Sequence, residues 1–269
     1  MSYDNLNNGS SDTPNQTQWR IKAESLLSTV NIFTPHATKQ FPLGAKAEAR
    51  DGRLWRYCKA GAAITLAKAI QGVAGTADWQ DEVQTNNPDL ASVGDKLITV
   101  TMAATATKDQ LVDGWLSVEE GTGEDNMYLI KGNKAGTANA TLGYDVVIEI
   151  ADQGGLRTAF VAASTLTVTL NKYEDVITAP ANPTAALVGV SLATVADNEY
   201  FWAQSKGPAP VTCDDTDSIV VGDTVMVSTD TNIPGACATA DAGADDHIIG
   251  ICMRASATSE TSVIDLTIE

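Results

Sequence analysis

The stretch FPLGAKAEARDGRLWRYCKAGAAI, residues 41–64, decides how the rest of the chain is read. Residues 45–49 and 54–59 are two runs of strand length. Arg50-Asp51-Gly52-Arg53 between them carries the Asp-Gly pair of a tight hairpin turn. The same texture continues to the C-terminus. Strands are predicted at 97–102, 114–118, 127–131, 145–150, 165–170, 187–192, 200–206, 224–228, 247–254 and 262–268, separated by Gly, Asp and Asn, which is how a sandwich or barrel looks in sequence. Glu120-Gly121-Thr122-Gly123-Glu124 supplies a longer hairpin turn, and Thr107-Lys108-Asp109-Gln110 fits a Ser/Thr-x-x-Gln capping box that predicts a single helical turn before residue 114. The 269 residues are 43% hydrophobic but only 6% aromatic, and the filling is Ala, Val, Thr and Gly, which favours pleated surfaces over a helical bundle. That length holds one large all-β domain or two modest ones.

Upstream of residue 41 the texture is different. MSYDNLNNGSSDTPNQ, residues 1–16, has no hydrophobic period and predicts a flexible tail. Trp19, Ala23, Leu26, Leu27 and Val30 then share one helical face, with Thr17 as N-cap, so a short helix is expected that needs something to pack on. NIFTPHATKQFP, residues 31–42, carries two prolines and predicts an extended connector. The first fifteen residues have neither a charged n-region nor an apolar h-region, and no run reaches membrane-spanning length. Folding in a reducing cytosol is therefore expected. Cys58, Cys213, Cys237 and Cys252 follow no metal-ligand spacing and read there as small buried hydrophobes.

The net charge of -17 is unevenly placed. Residues 1–75 hold nine Lys or Arg against five acidic residues, and the remaining chain holds eight against 29. The two parts should attract each other or each other's copies. A potential this negative repels nucleic acid and anionic membrane, whose binding is supplied by clustered Lys and Arg.

Nothing in the pattern assembles a catalytic group. His36 lies in the connector and His247 follows Asp245-Asp246, but no G-x-S-x-G elbow is present to pair a nucleophile with the base. Gly121-x-Gly123 is followed by Glu124 and Asp125, which repel phosphate, and no Gly-Lys-Ser/Thr occurs. The clusters at 214–217 and 241–246 lack the acidic spacing and closing Glu of a calcium loop and read as solvated turns. No cofactor or metal is expected. Trp79, Trp115 and Trp202 are candidates for stacking on sugars, although tryptophan in a strand more often serves a core or subunit interface.

Two loop-like segments, 86–95 and 179–183, bracket about 90 residues. The pattern alone fits either an inserted unit, with 54–59 pairing to strands beyond residue 185, or two consecutive domains divided near Pro180. A resemblance bears on this choice. Phe41-Pro42-Leu43-Gly44, Asp51-Gly52-Arg53-Leu54-Trp55-Arg56-Tyr57 and Lys59-Ala60-Gly61-Ala62-Ala63-Ile64 resemble the opening of capsid decoration (cement) proteins of tailed bacteriophages. Asn198-Glu199-Tyr200-Phe201-Trp202-Ala203-Gln204 and Lys206-Gly207-Pro208 resemble a second block, and Gly222-Asp223-Thr224-Val225, Pro234-Gly235-Ala236 and Ile248-Ile249-Gly250-Ile251 their closing strands. Asp113-Gly114-Trp115-Leu116 and Tyr128-Leu129-Ile130-Lys131-Gly132-Asn133 resemble an extra module of longer members, which favours the insertion.

The resemblance implies a β-barrel body, usually trimeric, seated outside an icosahedral head over junctions between major capsid protein subunits. The expected fold is thus all-β: a β-barrel or sandwich body of residues 41–76 plus 184–269, an inserted β-rich domain at 77–183, and a short N-terminal helix on an extended arm at 1–40. The expected protein is a non-catalytic virion component on the outer capsid surface, assembled in the host cytoplasm, with the major capsid protein and its own copies as partners. A receptor- or glycan-binding surface module is the alternative, and an acid-pair glycan hydrolase a third. For the interface, Trp19, Leu26, Leu27 and Phe33 are expected to grip a neighbouring subunit, and Arg53 and Arg56 on the first hairpin to supply its positive face.

Overall fold

The computed structural model describes residues 31–141, 143–214, 218–240 and 247–269. Among them the chain is all-β, with antiparallel pairing between its strands. The strands are β1 (Lys46–Glu48), β2 (Leu54–Lys59), β3 (Ala69–Gln71), β4 (Glu82–Val83), β5 (Leu97–Met102), β6 (Trp115–Glu120), β7 (Met127–Asn133), β8 (Thr137–Ala138) and β9 (Tyr144–Ile150). There follow β10 (Thr165–Thr169), β11 (Ile177–Thr178), β12 (Leu187–Ser191), β13 (Tyr200–Thr212), β14 (Thr224–Val227), β15 (Cys237–Thr239), β16 (Ile248–Arg254) and β17 (Thr261–Thr267). The helix expected at 19–30 lies outside the described residues. The capping box at Thr107 forms, with Gln110 Oε1 accepting from the Thr107 amide at 2.8 Å, but it closes a turn and not a helix.

Two sheets result. The first runs β11-β3-β12-β13-β17-β16-β14-β15, with β2 also on β13 and β1 on β2. The second runs β4-β10-β6-β7-β9-β5, with β8 on β9. Every strand of the second sheet falls between Glu82 and Thr169, and the first sheet takes its strands from both sides of that span. β2 pairs with β13 from Tyr200↔Lys59 to Lys206↔Leu54, a pairing of 54–59 with a strand beyond residue 185.

The residues that suggested a hairpin build it. β1 and β2 pair from Lys46↔Arg56 to Glu48↔Leu54, and Gly52 turns the chain at φ 87°, where a side chain would be strained. Behind the hairpin, Trp55, Tyr57, Phe201 and Trp202 are fully buried in one core. The Tyr57 ring lies 5.1 Å from that of Trp202, and Phe41 closes on both at 5.3 and 5.4 Å. A second core fills the second sheet with Ile98, Leu116, Tyr128, Ile130 and Ile148, and a third fills the curl of β13 to β17 with Val211, Val225, Ile249 and Ile264.

Both sheets curl back on themselves. In the second, the Gln84 side chain does the closing: its Nε2 donates to Glu82 O and Thr101 O at 2.9 and 3.1 Å, and its Oε1 accepts from the Thr101 amide at 3.1 Å. The amide side chain thus stands where a neighbouring strand would bond to β5, and Asn87 extends the seam to Thr99 O at 2.7 Å. In the first sheet, Cys213 just beyond β13 bridges in parallel to Cys237 of β15, and the Asp214 amide donates to Cys237 O at 3.0 Å.

The connector is more tightly held than an extended arm would be. Ile32 is buried in the first core, His36 and Tyr200 exchange backbone hydrogen bonds at 2.8 Å, and the Gln40 amide donates to the Tyr57 hydroxyl at 3.0 Å. Ile32, His36 and Gln40 thus tie the connector to the core and strands of the first sheet.

Candidate interaction surface

Strand alternation sorts the second sheet into two faces. Leu116, Val118, Tyr128, Ile130, Val146 and Ile148 point into the core, so Trp115, Met127, Leu129, Val147 and Leu97 are turned outward. Trp115 stands directly opposite Leu129, and Met127 opposite Ser117 one step along. Trp115, Met127 and Leu97 remain 40, 51 and 59% exposed. Trp115, Leu129 and Met127 therefore form an apolar row on β6 and β7, and the Lys131–Glu149 ion pair separates it from Leu97, which stands opposite Glu149. The first sheet carries a second such patch. Ile251 and Met253 project from β16, and the Gly222 amide donates to Cys252 O at 2.9 Å, bringing exposed Val220 and Val221 alongside.

The expected interface residues are placed unequally. Trp19, Leu26 and Leu27 lie outside the described residues. Phe33 is 56% exposed at the start of the described chain. Arg53 is engaged by Asp51 at 2.8 Å and lies 5.2 Å from the Trp55 ring centre. Arg56 bonds Glu269 at 2.8 Å and donates to Gly44 O at 2.9 Å. Lys46 pairs with Glu48, and Lys59 with Glu174 and Asp175. Lys46, Arg53, Arg56 and Lys59 thus each stand beside an acid of the same chain. Burial pushes the Glu269 carboxyl up, but hydrogen bonds from Arg56 and Tyr173 outweigh it and hold the group below the ordinary carboxylate value. Tyr173 moves up, first through burial and then because Glu269 accepts its hydroxyl proton at 2.8 Å.

Of the three tryptophans considered for sugar stacking, Trp79 and Trp202 are 5 and 1% exposed and belong to cores. Only Trp115 is available at the surface. The sequence pointed to its strand but not to its face, which the alternation of β6 supplies: Leu116 and Val118 inside put Trp115 and Ser117 outside.

His36 is fixed through its backbone to Tyr200, and His247 stands just before β16. No three His, Cys, Asp or Glu side chains among the described residues are placed to hold a metal. An open groove of about 660 Å³ is lined by residues of both sheets, among them Lys39, Lys59, Lys131 and Glu174. These lysines pair with Asp113, with Glu174 and Asp175, and with Glu149, so the groove is charge-balanced. The cluster at 241–246 and residues 215–217 lie outside the described residues. No family model matches this chain, and comparison with curated proteins and with solved structures finds no match.

Proposed function

We propose that the chain is a capsid decoration protein that seats on the outside of a tailed-phage head, stabilises contacts between major capsid protein subunits and acts as a homotrimer without catalysis. The observation that carries this reading is the meeting of β2 and β13. The segments that resemble decoration proteins, around 51–59 and 198–208, are more than a hundred residues apart in sequence, yet they form adjacent strands over one aromatic core. The two stretches that carry the likeness therefore lie in one folded unit, which supports the reading. The surface is compatible with the same role. A decoration protein must hold both its own copies and the shell, and the chain offers two separate apolar patches, on β6–β7 and on β16.

The test is light scattering of the purified chain followed by co-sedimentation with emptied heads. The expected result is a particle of three chain masses that pellets with the heads. A monomer that stays in the supernatant overturns the proposal. Removing residues 1–30 is expected to weaken pelleting, because the amphipathic face of Trp19, Leu26 and Leu27 goes with them. Exposure of Trp115 favours one second reading, a glycan- or receptor-binding module. Saturable glycan binding that Trp115→Ala abolishes would select it.

A further inference from the structure

We propose that Cys213 and Cys237 are a covalent modification site, a pair that a peroxide converts to a disulfide across the seam of the first sheet. This stands independently of the function proposed above. The two sulfurs are 3.8 Å apart in the third core, and both residues are fully buried. Their backbones are bridged in parallel. Strands so paired lie about 4.8 Å apart, inside the roughly 4.4–6.8 Å that a disulfide requires between Cα atoms. Closing the bond therefore needs rotation of side chains and not movement of strands.

The surroundings distinguish the two thiols from each other and from the rest. Cys213 Sγ has Cys237 Sγ as a hydrogen-bond neighbour, with the Ser256 and Ser262 hydroxyls each at 3.1 Å. The two serine oxygens are 2.7 Å apart, so the pair forms a hydroxyl cradle on one side of the sulfur. The hydrogen bond that Cys237 donates first, and the contacts with Ser256 and Ser262 next, outweigh burial and lower Cys213 below the ordinary thiol value. Burial pushes Cys58 and Cys252 up. Among the four cysteines, only Cys213 and Cys237 stand sulfur to sulfur, and Cys213 is the one that also touches two hydroxyls.

The chemistry balances with hydrogen peroxide as oxidant, a molecule little larger than water. The Cys213 sulfur attacks one peroxide oxygen as it gives up its proton, the O–O bond breaks, and a sulfenic acid forms while the departing hydroxide takes the thiol proton to become water. The Cys237 sulfur then attacks the sulfenic sulfur, the S–O bond breaks, and a second water leaves with the Cys237 proton. Two electrons pass from the sulfurs to the peroxide. The product joins β15, the last strand on the sheet's path, to the end of β13 and closes the curl covalently.

The full chain is exposed to stoichiometric hydrogen peroxide, then unfolded, alkylated and mapped by mass spectrometry without reduction. The expected result is the loss of two hydrogens, one crosslinked peptide pair containing Cys213 and Cys237, and alkylated Cys58 and Cys252. The oxidised chain should melt about 5 °C or more higher, and a thiol reductant should reverse the shift. A crosslink involving Cys252 or Cys58, a sulfinic acid at Cys213 without a crosslink, or four alkylated thiols after oxidation would each overturn the proposal. Cys252→Ser is expected to leave the crosslink in place and Cys237→Ser to remove it. The wild-type map decides the matter even where a variant folds poorly.

Discussion

Glu269 shows how much of the surface charge has internal duties. Its carboxylate accepts from Arg56 and Tyr173 at 2.8 Å each, and Lys172 stands 3.7 Å away. Its folded-state value is depressed, so the unfolded chain takes up the proton more readily. The contribution to stability is accordingly present above the ordinary value of 4.5 and is lost as pH falls through the lower folded value. The group is partly exposed, and solvent screening keeps an interaction of this kind below about 1 kcal/mol. Melting temperatures measured between pH 7 and 3 should show Glu269→Gln starting about 2–4 °C below the parent at neutral pH, with the gap closing as pH falls below 4.5. A gap that stays constant with pH would show that Glu269 acts through packing and not through charge.

At the scale of elements, Gln84 carries a role usually given to a strand. It is completely buried, and its amide serves both the donor and the acceptor of Thr101 on β5. Truncation to Ala leaves those backbone groups unpaired in a dry seam, and each costs about 1–3 kcal/mol. Gln84→Ala is expected to lower unfolding free energy by about 2–4 kcal/mol in urea titration, and Gln84→Glu to do comparable damage because a carboxylate repels Thr101 O. A loss below 0.5 kcal/mol would mean that the sheet does not depend on this closure. Sequence could not announce this seam, because Gln84 follows a strand of two residues, Glu82–Val83, with no alternation to mark it. Longer strands bounded by turn residues were legible: 54–59 and 97–102 are predicted at the bounds the structure gives. β13 was legible only to Lys206, since Gly207-Pro208-Ala209-Pro210 reads as a break. The strand survives because β2 pairs only up to Lys206, after which β17 takes over through Thr212. Gly207 at φ 80° turns the chain between those partners, so prolines two apart leave the β17 ladder intact. The surface was legible in part, because residue type marks Trp115 and Phe33 as candidates, whereas the acids beside Arg56 and Lys59 come from residues 213 and 115 positions away.

For the whole molecule, the uneven charge raises the question of whether attachment is electrostatic. Sequence alone suggested that the basic hairpin would provide a positive face. In the folded chain Lys46, Arg53, Arg56 and Lys59 are each within ion-pair distance of an acid of the same chain. Recruiting them to a shell means breaking those pairs, which returns little net gain. The apolar row of Trp115, Leu129 and Met127 carries no such cost, and burying it removes water from large side chains. The proposed attachment to heads should therefore be governed by apolar area. Raising sodium chloride from 0.15 to 1 M shortens the screening length from about 8 to 3 Å and should change head affinity less than about threefold. Trp115→Ala combined with Met127→Ala, both exposed, should leave the melting temperature within about 2 °C and weaken affinity at least tenfold, about 1.4 kcal/mol. The opposite pattern, strong salt dependence with an unaffected double variant, would move the contact away from the second sheet and onto charged groups elsewhere in the chain.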